Sequence, residues 1–468
     1  MLINFLILVS FSLFNQYLSE KILFAFQINR HGGRAPHYGV INGEDMYKEK
    51  WIENKELSSM GRRQLYLLGV KVRKKYYKEY GLISSEYNPQ EIYIRSTDTN
   101  RTIESIYSYL QGLYPSGSGP IIKDNVYENK SIIYPPNKKY YEKFDRIIDD
   151  YNMNINKTSL PYQMSIEPIH IFYAPDHEFE LYNPDLCPSL RAQYEKQNER
   201  QEIKDFADKL ISETNNLFFD LEPKAKNNSY FHDFWQLYNF TENIIADKFD
   251  VRDFNKLKNQ FPYVNDELID KLYSKSKQFI VEDSLYTNKW INLSIVGTSY
   301  TMHSLLNWME KAINSYKNGK NENYIKFVIY SAHDSSIANL EGFMYYAFNL
   351  SIEFTEFADC RFFELCVDDE GKFFVKYLKA DNTEKLKMNY DEFKNIVNNK
   401  TWSDEQVSEF CKFNDNKNNK DDENNKDTDD KKNSYIILIV LGCLNGILIG
   451  ILIFIFIWYK KKTEMVKK

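Results

Sequence analysis

Ile22-Leu23-Phe24-Ala25-Phe26-Gln27-Ile28, followed at once by Asn29-Arg30-His31-Gly32-Gly33-Arg34-Ala35-Pro36, decides how the chain folds. Seven nearly continuous apolar residues, stopped by a polar and glycine-bearing stretch, read as a strand buried on both faces. The same pattern returns twice. A short strand over 91–94 runs into Arg95-Ser96-Thr97-Asp98, and the apolar run 326–331 ends at Ala332-His333-Asp334. Helices separate these strands. Leu57, Leu65, Leu68 and Val72 recur at helical spacing within 57–80, where Ser58 or Ser59 offers an N-cap and Gly81 a stop. Stretches 99–113 and 302–317 are helical too. Strand, loop and helix in alternation give an α/β fold with a central sheet flanked by helices. Ligands in such sheets bind beyond the carboxyl ends of the strands, where all three polar loops lie.

Those loops carry chemistry. The chain holds 12 Arg against 48 Lys, and Arg30, Arg34 and Arg95 all fall at the strand ends. A guanidinium grips an oxyanion through a planar fork, which lysine cannot do. His31 lies between Arg30 and Arg34, whose charges favour a neutral imidazole able to act as a nucleophile. Gly32 and Gly33 let the backbone approach a ligand closely. In-line attack of His31 on phosphorus would give a phosphohistidine, with the arginines spread over the equatorial oxygens. Asp334 is the candidate proton donor to the leaving group and the base for water, and His333 a donor to a phosphate oxygen. Asp98 reads as shaping its turn, and His37 as a surface loop residue. The remaining histidines, His170, His177, His232 and His303, lack metal-ligand spacing, so neither metal nor cofactor is expected.

Composition limits the alternatives. The 468 residues carry a net charge of -6, which opposes nucleic acid as a partner. Hydrophobic residues make up 43% and aromatic residues 16%, enough for large cores. Residues 136–283 change texture, with prolines and then charged helical stretches, and read as a mainly helical insertion between two parts of the α/β domain, 22–135 and 284–412. Runs 362–367 and 373–378 flank Asp368-Asp369-Glu370-Gly371, a hairpin signal. Residues 1–19 resemble a signal peptide. Residues 413–434 are nearly all Asn, Asp, Lys and Glu and read as a disordered stalk. The apolar run 435–459 is long enough to cross a membrane, and Lys460, Lys461 and Lys462 after it place the tail, 460–468, in the cytosol. The expectation is a single-pass type I protein with its catalytic part in a lysosome-like lumen or outside the cell. Eight N-x-S/T sequons and the cysteines suit that compartment. Cys187, Cys360, Cys366 and Cys411 allow three pairings. On a regular strand Cys360 and Cys366 would stand about 20 Å apart, too far for a disulfide.

RHGGRAP resembles the RHGxRxP signature of the histidine acid phosphatase family, and YSAHD resembles its His-Asp motif. LSSMGRRQLYLLGVKVRKKY is similar to its Leu-Thr-x-x-Gly helix, YIRSTDTNRT to a further phosphate-binding segment, and PDLCP to its cysteine-bearing segment. The resemblance spans about 22–411 and is strongest to the lysosomal and prostatic branch. It implies the phosphoglycerate mutase-like fold, with His31 as nucleophile, Asp334 as proton donor, and Arg30, Arg34, Arg95 and His333 as phosphate ligands. It also implies a Cys187–Cys411 disulfide and a homodimer. Gly33 departs from a position often acidic in this branch, and two of its usual six cysteines are missing. The implied activity is acid hydrolysis of phosphate monoesters with broad specificity. The alternatives are a phosphatase dedicated to phytate, a lysophospholipid or a glycan phosphate, and a non-catalytic surface binding protein.

Overall fold

The first apolar run becomes strand β1 (Lys21–Arg30), buried at every position but its first. In the computed structural model, residues 20–35, 40–41, 44–45, 55–121, 159–172, 291–319, 324–353 and 355–411 are described, with isolated positions between 187 and 274. Two-residue strands β2 (Val40–Ile41) and β3 (Glu44–Asp45) pair after β1. Helix α1 (Ser59–Arg73) then continues as a π-helical segment, Lys74–Glu79. Strand β4 (Ile92–Thr97), helix α2 (Asn100–Leu113) and strand β5 (His170–Phe172) follow. Helix α3 (Ile291–Lys317), β6 (Phe327–Ala332) and α4 (Asp334–Phe348) come next. Strands β7 (Cys360–Val367), β8 (Phe373–Lys379) and β9 (Glu384–Asn389) follow, then helices α5 (Tyr390–Lys400) and α6 (Asp404–Cys411).

Among the described residues seven strands form one mixed sheet in the order β5-β4-β6-β1-β7-β8-β9. From β5 to β1 the neighbours are parallel; from β1 to β9 they are antiparallel. Helices cover both faces. Leu65, Leu68 and Val72 of α1 and Ile106, Tyr109 and Leu110 of α2 pack on one face against Ile94, Phe327 and Ile329. Met302, Leu305 and Met309 of α3, Phe343 of α4 and Phe393 of α5 pack on the other against Phe26, Val328 and Phe363. Each large side chain so buried contributes about 1.5–3 kcal/mol, which is why the strands in the middle of the sheet are apolar on both faces.

Glycines set how closely the parts approach. A Cβ on Gly69 would stand 2.0 Å from the Tyr109 carbonyl oxygen, and one on Gly112 would stand 2.1 Å from that of Tyr66. These two residues let α1 and α2 touch backbone to backbone. Ser58 caps α1, its hydroxyl accepting from Gly61 N at 3.0 Å, and Gly81 follows the π-helical segment at φ 60°.

Several elements differ from expectation. Strand β4 continues through Arg95, Ser96 and Thr97, where the sequence pattern predicts a loop. Helix α3 begins eleven residues before Met302. Within the stretch read as a helical insertion, His170–Phe172 joins the main sheet as its edge strand β5. The scattered described positions from 189 to 274 are helical, and the rest of that stretch lies outside the described residues. So do the leader 1–19, the stalk 413–434, the apolar run 435–459 and the tail 460–468. Among the described residues no helix is long and apolar enough to cross a membrane. Cys187 and Cys411 are joined by a disulfide, while Cys360 and Cys366, at opposite ends of β7, are buried free thiols.

Candidate active site

Three adjacent parallel strands, β4, β6 and β1, deliver the three polar loops to one place. Arg30, the last residue of β1, stands in register with Ala332, the last of β6, and Ser96 of β4 stands in register with Ser331. His31 and His333 therefore leave the sheet side by side, with ring centres 5.8 Å apart.

The loop after β1 is held by backbone bonds. His31 N donates to the Ala332 carbonyl at 3.0 Å, and Ser58 Oγ donates to that of Gly33 at 2.9 Å. It rests on the first turn of α1 without side chains between them. A Cβ on Gly32 would meet Gly61 O at 2.4 Å, and one on Gly61 would meet Gly33 O at 2.0 Å. Gly33 is different: a Cβ there meets nothing nearer than Gln64 Oε1 at 3.4 Å. The first glycine of the pair is a steric requirement and the second is not.

His31 Nδ1 lies 2.9 Å from the Gly32 carbonyl oxygen. A carbonyl only accepts, so Nδ1 carries the hydrogen and the lone pair resides on Nε2. Burial, then the charges of Arg101, Arg30 and Arg34, keep the imidazole neutral, its pKa well below the ordinary value. His333 is set the other way round. A guanidinium only donates, and Arg101 Nη2 lies 3.3 Å from His333 Nδ1, so Nε2 bears the hydrogen and donates to Thr97 Oγ1 at 3.1 Å. Burial and the same cations push its pKa down to about 3, with Asp334 opposing them.

Asp334 is the first residue of α4. Its Oδ1 accepts from Ser335 N at 2.9 Å, and its Oδ2 pairs with Arg30 Nη2 at 2.7 Å. Burial pushes this carboxyl up, but the guanidinium charges of Arg30 first and Arg34 after it hold it net well below the carboxylate range. The carboxylate side chain is 42% exposed where that of Arg30 is 4%, so it stands at the open side of the site. Arg34, also buried, bonds the Ala35 carbonyl through Nη1 at 3.0 Å.

Of the residues assigned from sequence, the structure gathers Arg30, His31, Arg34, His333 and Asp334. It does not bring Arg95 among them. Two residues short of the strand end, the Arg95 side chain is buried, its guanidinium carbon 5.2 Å from the Tyr330 ring centre. The third cation acting on both histidines is Arg101, in the first turn of α2, which sequence reasoning missed. Placing the strand end at Thr97 rather than Ile94 points to Arg101, because the helix after the strand then supplies the next cation. Pro36 and His37 lie outside the described residues.

Residues 21–380 match the histidine phosphatase superfamily (branch 2). The chain belongs to that superfamily. Among its relatives, lysosomal acid phosphatase of Xenopus laevis is 24% identical over 382 residues, 80% of this chain and 73% of that protein. Human prostatic acid phosphatase is 32% identical over 114 residues, 24% of this chain and 28% of that one. The phytase of Hafnia alvei in complex with tartrate superposes with a TM-score of 0.52 at 13% identity, over 84% of this chain and 99% of that one. This likeness speaks to the fold, and it is the mixed α/β fold expected of the superfamily.

Proposed function

We propose that the protein is an acid phosphatase that hydrolyses phosphate monoesters through a phosphohistidine on His31. The observation that carries this reading is the fixed tautomer of a neutral, buried His31, whose Nε2 lone pair is available beside Arg30, Arg34 and Arg101. Membership of the superfamily and the acid phosphatase relatives support it.

Nε2 attacks phosphorus as the bond to the leaving oxygen breaks, and the hydrogen that the monoanionic ester brings passes through Asp334 to that oxygen. Arg30, Arg34 and Arg101 hold the equatorial oxygens, where charge builds. The Nδ1–H bond to Gly32 steadies the positive charge of the phosphorylated ring. Water then attacks phosphorus opposite Nε2, and its proton passes through Asp334 to the departing phosphate, leaving the carboxylate as it began. Orthophosphate leaves and neutral His31 returns. Arg101 takes the role assigned from sequence to Arg95. His333, whose N–H is bonded to Thr97, orients Arg101 and turns its donor to phosphate only when that bond opens.

The groups gathered here address the phosphoryl group and its bridging oxygen, and Asp334 stands on the open side, which suits varied leaving groups. The proposed compartment is lumenal or extracellular. The Cys187–Cys411 disulfide is chemistry of an oxidising compartment, and the apolar run 435–459 is the proposed anchor.

Full-length protein given a radiolabelled aryl phosphate and quenched in alkali should retain label on His31. His31→Ala should lose the label and on the order of 10³-fold or more of kcat. Label retained by His31→Ala would sink the proposal.

A further inference from the structure

We propose that Phe357 is a positioning residue for the phosphate-binding cations, a reading that rests on the phosphatase assignment. Phe357 is nearly fully buried in the segment 355–359 that leads into β7. The guanidinium carbon of Arg30 lies 4.1 Å from its ring centre, that of Arg34 lies 6.0 Å away, and the His31 ring centre lies 5.7 Å away. One aromatic ring thus lies against the nucleophile and both arginines of the loop after β1.

The segment is built to aim that ring. Thr355 O accepts from Arg30 Nη1 at 2.6 Å, Ala358 N donates to His31 O at 3.0 Å, and Asp359 O accepts from Arg30 N at 2.9 Å. The hydroxyl of Tyr273, from the stretch between the two halves of the α/β domain, donates to Glu356. Ala358 holds φ 59°, a conformation that an L-residue adopts at a cost and that persists where surrounding contacts impose it. Arg30 is therefore fixed at three points: a carbonyl on Nη1, Asp334 on Nη2 and the Phe357 face on its plane.

Three cations around one small site repel each other before substrate arrives. The negative face of an aromatic ring offsets that repulsion, and a buried ring does so with little screening by water. It also denies water to the back of the Arg30 guanidinium, so that the remaining N–H groups stay directed at the incoming oxyanion. A branched aliphatic side chain fills similar space but has no such face.

The test compares Phe357→Leu and Phe357→Tyr in the full-length protein. Orthophosphate binding is measured by calorimetry, aryl phosphate turnover by initial rates, and melting by fluorescence. Phe357→Leu should weaken orthophosphate binding about 10- to 30-fold and lower kcat/KM by a similar factor, while Phe357→Tyr stays within about threefold of wild type. Unchanged orthophosphate affinity and kcat/KM in Phe357→Leu, with only a lower melting temperature, would overturn the proposal. So would equal losses in the Leu and Tyr variants. If Phe357→Leu does not fold, Phe357→Met takes its place under the same criteria. Orthophosphate binding needs no turnover, so wild-type protein that binds it yet hydrolyses no ester would fail the phosphatase reading and leave this one standing.

Discussion

At the residue scale the site turns on which hydrogen each ring nitrogen carries. Gly32 O fixes one tautomer of His31 and Arg101 fixes the opposite tautomer of His333, so two adjacent imidazoles differ in what they offer. Arg101 also lowers the pKa of both rings, ahead of Arg30 and Arg34. Arg101→Lys keeps the charge but loses the planar fork, and should lower kcat/KM by about 10²-fold while weakening orthophosphate binding. Arg95→Lys, behind the site over Tyr330, should act mainly on stability and leave orthophosphate affinity within about threefold. Initial rates and calorimetry on the two variants decide between them; the reverse ranking would return Arg95 to the site. His31, Arg30, Arg34, His333 and Asp334 were legible in the sequence because each follows an apolar strand within a residue or a few. Arg101 was not, since the polar Arg95, Ser96 and Thr97 disguise the last half of β4. Phe357 gave no signal either, because one aromatic residue in a polar segment has no periodicity to mark it.

At the element scale, the apolar strands could be read and the polar ones could not. Strand β9 has the sequence EKLKMN with no fully buried position, and as an edge strand it carries lysines that discourage further pairing. Helix α4, whose first turn bears the site, opens on Asp-Ser-Ser and is buried at consecutive positions from Ser336 to Glu341, so it has no single apolar stripe. Its placement depends on a buried polar network. Arg361 of β7 pairs with Glu341 of α4 and with Asp359 Oδ2 at 2.8 Å, and the Tyr377 hydroxyl of β8 donates to Glu341 Oε1 at 2.9 Å. Asp359 also holds Arg30 N through its carbonyl, so this network ties α4 to the end of β1. Glu341→Leu leaves Arg361 charged with one partner fewer and should cost about 3–5 kcal/mol in denaturant unfolding. Adding Arg361→Met and Tyr377→Phe should recover part of that loss, because the buried guanidinium is then gone and only Asp359, which is partly exposed, loses its partner. A combined variant as unstable as the single one would show that the network contributes net stability rather than placement.

At the scale of the whole molecule the question is where the leaving group's proton comes from. In the protein without substrate, Arg30 and its neighbours hold Asp334 ionised, so the carboxyl expected to donate has no proton at mildly acid pH. A bound phosphoryl group neutralises those cations and removes what lowers the pKa. The simplest source is then the substrate: a phosphate monoester has its last pKa at about 6, and below that it enters as a monoanion carrying the hydrogen that Asp334 relays. Activity should fall as pH rises through that value. On the acid side the site is held together at a cost. His31 and His333 have pKa values depressed by folding, so they add stability above about pH 6.5, lost as pH falls towards their folded values. Asp334, also depressed, loses its contribution only below about pH 4. The working range is thus bounded above by the substrate's protonation and below by the protein's own stability. If the proton comes with the substrate, replacing an aryl phosphate by the phosphorothioate ester of lower last pKa should move the alkaline limb of kcat/KM down by the difference between the two substrate values. A limb that stays in place for both substrates would mean that a group of the protein carries the proton, and Asp334→Asn should then abolish the limb instead of merely lowering the rate.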